Sequence, residues 1–217
     1  IGGAPDIGEE TGTDILGALK FTSVDDEFSY GFFSAIEDST GVAKGKDFYT
    51  GRVMRKTDDY NLGYLITYTE RPDIQRDVIV QAVDYGYFIN QHFTLKGQFI
   101  HSQISQAATD NRENNRNDSA AWFTLGHQVT QNWEHTLTTA YFGDEFEVND
   151  LGFLPRNNLL SISYVNAVKN HDFSKNSLFQ EHQMDISLFH EENTDGLTLN
   201  SSARFRDAWY LKDSSWG

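Results

Sequence analysis

From residue 60 to residue 69 the chain alternates apolar with polar side chains. Tyr60, Leu62, Tyr64, Ile66 and Tyr68 fall on one parity, and Asn61, Gly63, Leu65, Thr67 and Thr69 on the other. Strand side chains leave the backbone toward opposite faces with period two, so this segment reads as a strand with one greasy and one mostly wet face. The same reading along the chain predicts eleven strands, at about 12–23, 28–37, 47–57, 60–69, 78–89, 93–104, 119–129, 133–143, 158–169, 177–190 and 196–206, with a twelfth beginning near Ala208.

The expected turns fall into two alternating classes. Asp25-Asp26, Asp58-Asp59, Asn90-Gln91-His92 and Thr130-Gln131-Asn132 are tight, and the links at about 38–46, 70–77, 105–118 and 144–157 are long. Asp and Asn suit tight turns because their side chains bond the local backbone and tolerate left-handed conformations. The turn lengths fix a register. Asp58-Asp59 sets Tyr64 opposite Val53, Ile66 opposite Gly51 and Tyr68 opposite Tyr49; 90–92 pairs Phe93 with Ile89, and 130–132 pairs Trp133 with Val129. Apolar meets apolar, as a sheet with one greasy face requires.

Strands of ten or more residues, joined alternately by short and long links, are the pattern of an antiparallel up-and-down transmembrane β-barrel. A soluble sandwich or propeller also alternates, but its strands average five or six residues. The polar parity of the last strand (Thr198, Asn200, Ser202, Arg204, Arg206) suits a water-filled interior better than a dry core. The expected fold is therefore all-β, with residues 1–217 forming a single barrel segment of about 11–12 strands. Short turns belong on the periplasmic side, so the first strand descends from outside. That orientation, with Ile1 at the start and Ser214-Ser215-Trp216-Gly217 at the end, predicts further strands before residue 12 and after residue 206.

Composition narrows the function. With 17 Lys and Arg against 32 Asp and Glu, the net charge of −15 repels phosphate backbones, which argues against nucleic acid as a partner. No cysteine is present, so disulfides and thiolate metal sites are excluded. No apolar run reaches the length of a membrane helix. The mean hydropathy of −0.54 still fits a barrel, because half of every strand and all of the loops are polar. Aromatic residues make up 14% of the chain, enough for girdles at both membrane interfaces, and Pro5, Pro72 and Pro155 all fall outside the predicted strands.

Several pieces carry a family likeness: Asp14-Ile15-Leu16-Gly17-Ala18-Leu19-Lys20-Phe21, Phe28-Ser29-Tyr30-Gly31-Phe32-Phe33-Ser34-Ala35, Gly51-Arg52-Val53-Met54-Arg55, Asn61-Leu62-Gly63-Tyr64-Leu65 and Leu151-Gly152-Phe153-Leu154-Pro155-Arg156-Asn157. Over about residues 12 to 165 the chain resembles the barrel region of a bacterial outer-membrane family of unknown function. Members of that family carry an N-terminal carbohydrate-binding module of the family-nine type. The resemblance implies an outer-membrane location and a glycan-binding module upstream; it supplies no catalytic residues.

Four places invite a chemical reading. Asp144, Glu145, Glu147 and Asp150 put four carboxylates into one long loop, a hard-oxygen set suited to calcium or to lipopolysaccharide phosphates bridged by a divalent cation. The spacing lacks the glycine and terminal glutamate of a calcium-binding hand, and a solvated acidic loop is the competing reading. Gly152 to Asn157 reads as a plug or lip. His127 and His135 are directly opposed in the register above, as a metal pair, a pH-sensitive pair or two side chains on a barrel exterior. The loop Thr109 to Ser119 offers Asp110, Arg112, Glu113, Arg116 and Asp118 to a partner or substrate, with a mobile solvated loop as the competing reading. No Gly-x-Ser-x-Gly motif supports nucleophilic hydrolysis.

These features lead to an expectation of a non-enzymatic outer-membrane barrel serving as channel, anchor or export and transport platform, for glycan or protein cargo. Its partners would be outer-membrane lipid and lipopolysaccharide, with a protein in the lumen or on the loops. A soluble all-β glycan-binding module, and an outer-membrane enzyme with a calcium-assisted acidic loop, are the competing readings.

Overall fold

The computed structural model describes residues 14–39, 44–107, 115–150, 154 and 156–212. Among them are eleven strands and no helix, so no helix is long and apolar enough to cross a membrane. The strands are β1 (Ile15–Val24), β2 (Phe28–Glu37), β3 (Asp47–Lys56), β4 (Tyr60–Arg71), β5 (Arg76–Phe88), β6 (Phe93–Gln106), β7 (Arg116–Thr130), β8 (Trp133–Phe142), β9 (Leu159–Asn170), β10 (Phe179–Glu192) and β11 (Thr198–Leu211). They form one sheet in sequence order, each pairing with its chain neighbours. The sheet is not closed: β1 and β11 are its two edges among the described residues. Strand lengths of 10 to 15 residues are about twice the soluble average.

The tight turns arise as their side chains dictate. Asp25 Oδ1 accepts from the backbone N–H of Glu27 at 2.9 Å and of Phe28 at 2.8 Å. Asn90 does the same for His92 and Phe93, at 2.7 and 3.0 Å. Around Asp58-Asp59, Thr57 closes the hairpin by donating its N–H to the Tyr60 carbonyl at 2.7 Å. The register that follows is the one expected: Val53 lies opposite Tyr64, Gly51 opposite Ile66 and Tyr49 opposite Tyr68.

Three features differ from the reading of the sequence. Pairing continues through Arg71 and resumes at Arg76, so the 70–77 link shrinks to residues 72–75; Pro72 stops β4, and Gln75 turns the chain with φ 48°. At four residues this link is as short as 89–92, so short and long links already cease to alternate at β4–β5. The strand β11 runs unbroken through Ala208 to Leu211, so no new strand begins at Ala208.

Contacts gather into two compact units, residues 1–85, 98–120 and 143–157 in the first and 86–97, 121–142 and 158–217 in the second. Within the first, apolar residues such as Ala35, Phe48, Val78 and Ile104 are buried beside polar ones, and a row of large apolar residues is left exposed. Large apolar residues are exposed, including Tyr30, Phe32, Tyr64, Ile66 and Phe99, while Thr69, Arg76, Ser102 and Glu37 are buried. Parity explains the split, because Tyr30, Val53 and Tyr64 share one row of the ladder and Gly31, Arg52 and Leu65 the next. The second unit repeats it. Leu160, Ile162, Ile186, Leu188 and Phe205 are exposed, while Asp185 is 3% exposed and takes the Arg206 guanidinium at 2.5 Å.

The Asp25 turn carries a pH signature. Two backbone N–H donors stabilise its carboxylate and hold its pKa below the ordinary 3.8. A depressed folded pKa means that the stabilisation is complete above the unfolded value and is lost as pH falls through the folded one. We expect nuclear magnetic resonance titration to place this carboxyl below the ordinary 3.8. Asp25→Asn keeps an acceptor oxygen and should hold the hairpin while abolishing that segment of the acid-stability profile; an unchanged profile would contradict the assignment.

Candidate functional site

The long β8–β9 link does not hang in solvent. Its first half, residues 143–150, folds back on the polar face of the first unit. Gly143 continues the ladder by donating its N–H to the Ser119 carbonyl at 3.0 Å, and its missing side chain is required there. A Cβ at this position would come within 2.0 Å of Asp118 Oδ2. Asp118 in turn accepts from the backbone N–H of Glu145 at 3.0 Å, and the Glu147 N–H donates to Ser102 Oγ at 3.4 Å. Phe146 is 1% exposed, the largest fully buried side chain among the described residues. An aromatic pin set between two backbone anchors fixes the segment in place.

The charges then close on one another. Arg76, the first residue of β5, donates from Nη2 and Nε to Asp150 Oδ2 at 2.7 and 3.1 Å, and from Nη2 to Glu147 Oε1 at 2.7 Å. Arg116, at the start of β7, reaches Glu147 Oε2 at 3.0 Å, and Arg71, at the end of β4, reaches Asp150 Oδ1 at 3.4 Å and Asp73 at 3.6 Å. Gln106 adds an acceptor at 3.4 Å from Arg76 Nη1. Arg76 and Asp150 are 6% and 4% exposed, so this pair sits where screening is weak and desolvation is paid for by several hydrogen bonds. Three guanidinium groups face three carboxylates. The cluster is locally neutral.

This changes how the acidic loop is read. Of the four carboxylates in the candidate calcium set, Glu147 and Asp150 are held by arginines. Asp144 takes part through its backbone carbonyl, which accepts from Asn157 Nδ2 at 2.6 Å, and Glu145 through its N–H. Among the described residues no three His, Asp or Glu gather at a point that would hold a metal ion. A calcium cage needs uncompensated negative oxygens, and here the arginines have already supplied the positive charge. The arrangement is a charge-latched segment. Of the expected plug or lip, Leu154 and Asn157 are tied to residues 149 and 144, while 151–153 and 155 lie outside the described residues, as do 108–114 of the loop Thr109 to Ser119.

His127 and His135 stack with centroids 5.7 Å apart in the second unit, as their register requires. Phe93 stacks on His127 at 4.0 Å, and Trp133 and Tyr164 flank His135. Asn166 Nδ2 donates to His135 Nδ1 at 2.9 Å, and the Tyr164 hydroxyl shares that nitrogen at 2.7 Å. The pair is part of an aromatic row on the apolar face.

The sequence reading missed Arg71, Arg76 and Ser102. Their one legible signal was a pair of arginines bracketing a short proline-containing link, complementary in charge to an acidic loop some seventy residues away.

Removing one partner of a buried pair strands the other charge, at a cost of about 3–5 kcal/mol. Asp150→Ala and Arg76→Ala should each lower unfolding stability by that amount. Glu147→Ala, whose carboxylate is 25% exposed, should cost clearly less. Denaturant unfolding of the three variants checks the ranking, and equal, small losses would mean that the latch does not hold the segment.

A scan of protein-family models finds no match to this chain, and a search of curated proteins finds no match either.

Proposed function

We propose that this chain forms wall strands of a transmembrane β-barrel in a bacterial outer membrane and acts, without catalysis of its own, as a channel, anchor or transport platform. The observation that carries the reading is the run of large apolar side chains exposed along one face of the strands. A strand such as β4 exposes Leu62, Tyr64 and Ile66 while it buries Thr69. In water an exposed Leu, Ile or Phe forgoes about 1.5–3 kcal/mol of burial, and soluble monomers seldom repeat that loss along a whole face. In lipid the same face is the favourable one, and strands survive there only if every backbone group is paired between neighbours.

Two further features agree. Aromatic clusters gather near the tight turns, Phe28 and Tyr60 around Arg55 and Trp133 beside His135 and Tyr164, and at the β9–β10 link, Phe173 with Phe179 and Trp209. Amphipathic rings at such positions suit the headgroup level. The polar faces carry matched ions, Arg52 with Asp84 at 2.8 Å and Arg206 with Asp185, as a wetted interior tolerates. In this reading the latched segment narrows the interior. Lipid and lipopolysaccharide are the partners of the apolar face, and the cargo is a glycan or a protein, in keeping with the family resemblance.

The reading makes opposite predictions from its soluble competitor at one residue. Ile66→Arg, at an outward position 40% exposed, should cost about 2–4 kcal/mol if that position meets hydrocarbon and within about 0.5 kcal/mol if it meets water. Fractionation of the native protein should find it in the outer membrane, with migration that shifts on boiling; recovery in the soluble periplasm would overturn the proposal. In planar bilayers Arg204→Gln, at a side chain 70% exposed on the polar face, should reduce anion preference, and unchanged selectivity would remove Arg204 from the pore lining.

A further inference from the structure

The arginines of the latch and its carboxylates come from different kinds of element. Arg71 ends β4, Arg76 begins β5 and Arg116 begins β7, so all three guanidiniums project from paired strands of the first unit. Glu147 and Asp150 belong to the connecting segment that folds back on them. Phe146, 1% exposed, pins that segment on one side. From 147 to 150 its polar ties to the strands, among the described residues, are the ion pairs and one long bond, the Glu147 N–H to Ser102 Oγ at 3.4 Å. Charge is the main hold on this half, and charge is what a ligand can replace.

The two acids fill the arginine seat incompletely. All four of their oxygens are engaged: Asp150 Oδ1 by Arg71 and Oδ2 by Arg76, Glu147 Oε1 by Arg76 and Oε2 by Arg116. A guanidinium carries five N–H donors, so donors are left over. Arg71 Nε and Arg116 Nε are buried without an acceptor among the described residues. Arg71 stands 3.4 Å from Asp150 and 3.6 Å from Asp73, both long for a charge-assisted bond. A buried donor without a partner is costly, and the seat has use for more acceptor oxygens than two carboxylates supply.

Charge and spacing name the chemistry of a better occupant. With Glu147 and Asp150 withdrawn, the three guanidiniums keep one ion-pair partner among the described residues, Asp73. Asp118, near Arg116, is turned to the backbone N–H groups of Ser119 and Glu145. Arg76 Nη2 holds one oxygen of Glu147 and one of Asp150, both at 2.7 Å, so the two acidic groups stand side by side. Two adjacent phosphoryl groups reproduce that pair, and a phosphoryl group presents three acceptor oxygens where a carboxylate presents two. The planar fork of arginine matches such oxygens in pairs.

We propose that Arg71, Arg76 and Arg116 form a binding seat for a ligand with two adjacent phosphoryl groups. In the free protein Glu147 and Asp150 fill this seat as an internal stand-in, which the ligand displaces while Phe146 stays in place. The assignment lies within the first unit and does not rest on the membrane reading.

The test uses the whole purified chain carrying Asn149→Cys and a polarity-sensitive dye; with no native cysteine, the label sits at one place. Inorganic pyrophosphate should shift the dye emission saturably, with calorimetry giving the same constant. Glu147→Gln weakens the stand-in and should tighten the apparent affinity about tenfold. In that background Arg71→Gln and Arg116→Gln should each weaken binding at least about tenfold, as for loss of a charge-assisted hydrogen bond. Lipopolysaccharide, intact and enzymatically dephosphorylated, provides the second arm, and the tighter of pyrophosphate and intact lipopolysaccharide tells a soluble source of the phosphoryl pair from a lipid-borne one. The proposal is overturned by no saturable binding of either, by affinity unchanged in the glutamate and arginine variants, or by calorimetric binding with the dye unmoved. Tricarballylate binding as tightly as pyrophosphate, or dephosphorylated lipopolysaccharide as tightly as the intact form, would also overturn it. Failure of the membrane reading would appear in fractionation and leave the pyrophosphate titration untouched.

Discussion

Everything in this molecule depends on the register of its antiparallel ladder. Period two leaves only two settings for each strand, and a slip by one residue exchanges them. Shifted by one place, β5 would carry Arg76 and Asp84 onto the apolar face and bring Tyr85 among the ions. The hairpins prevent this locally, before any tertiary contact forms. Asp25 and Asn90 each bind two backbone N–H groups across their turn, and Thr57 closes on Tyr60, so the pairing is counted from a fixed origin. The chemistry of three short turns thereby decides which side chains meet water.

The polar faces solve a second problem, the placing of charge between closely spaced strands. Burial of a lone ion costs several kcal/mol, whereas a hydrogen-bonded pair recovers most of the loss. Arg52 lies on Asp84, Arg206 on Asp185, and Arg76 on both Glu147 and Asp150. The last cluster differs from the other two because its acids come from a connecting segment. A sheet position therefore holds a loop, and the loop completes the electrostatics of the sheet.

The sequence made the strands legible because each one carries its own alternation and each tight turn its own Asp or Asn. All eleven expected strands are present, and the β3–β4 register is residue for residue as expected, because Asp58-Asp59 determines it locally. Strand ends were less legible. Arg71 and Arg76 looked like loop residues by polarity, yet they sit on the polar face, where polarity is what a strand residue should show. The partners of the acidic loop were illegible for a different reason. Seventy-four residues separate Arg76 from Asp150, and no local pattern connects them, so the arginines that hold Glu147 and Asp150 could not be read from the loop itself. Whether the unclosed sheet belongs to a barrel is a property of edges, and alternation within strands carries no information about edges.

Glycine shows how the polar faces accommodate their cargo of long side chains. At Gly63 a Cβ would fall 2.6 Å from Asp84 Oδ2, at Gly126 2.7 Å from Thr94 Oγ1, and at Gly143 2.0 Å from Asp118 Oδ2. In each case the absent side chain is opposed by a polar one on a neighbouring strand. On the apolar face Gly51 meets only Ile66, at 3.8 Å, an ordinary contact. At these positions the close approach falls on the side where ions and hydroxyls need space to reach their partners. At Gly63 the space is filled by the Asp84 carboxylate on its way to Arg52, and at Gly143 by Asp118 on its way to the Glu145 N–H. At Gly126 it is filled by the Thr94 hydroxyl. One device, a glycine set against a polar neighbour, recurs at three sites of this surface.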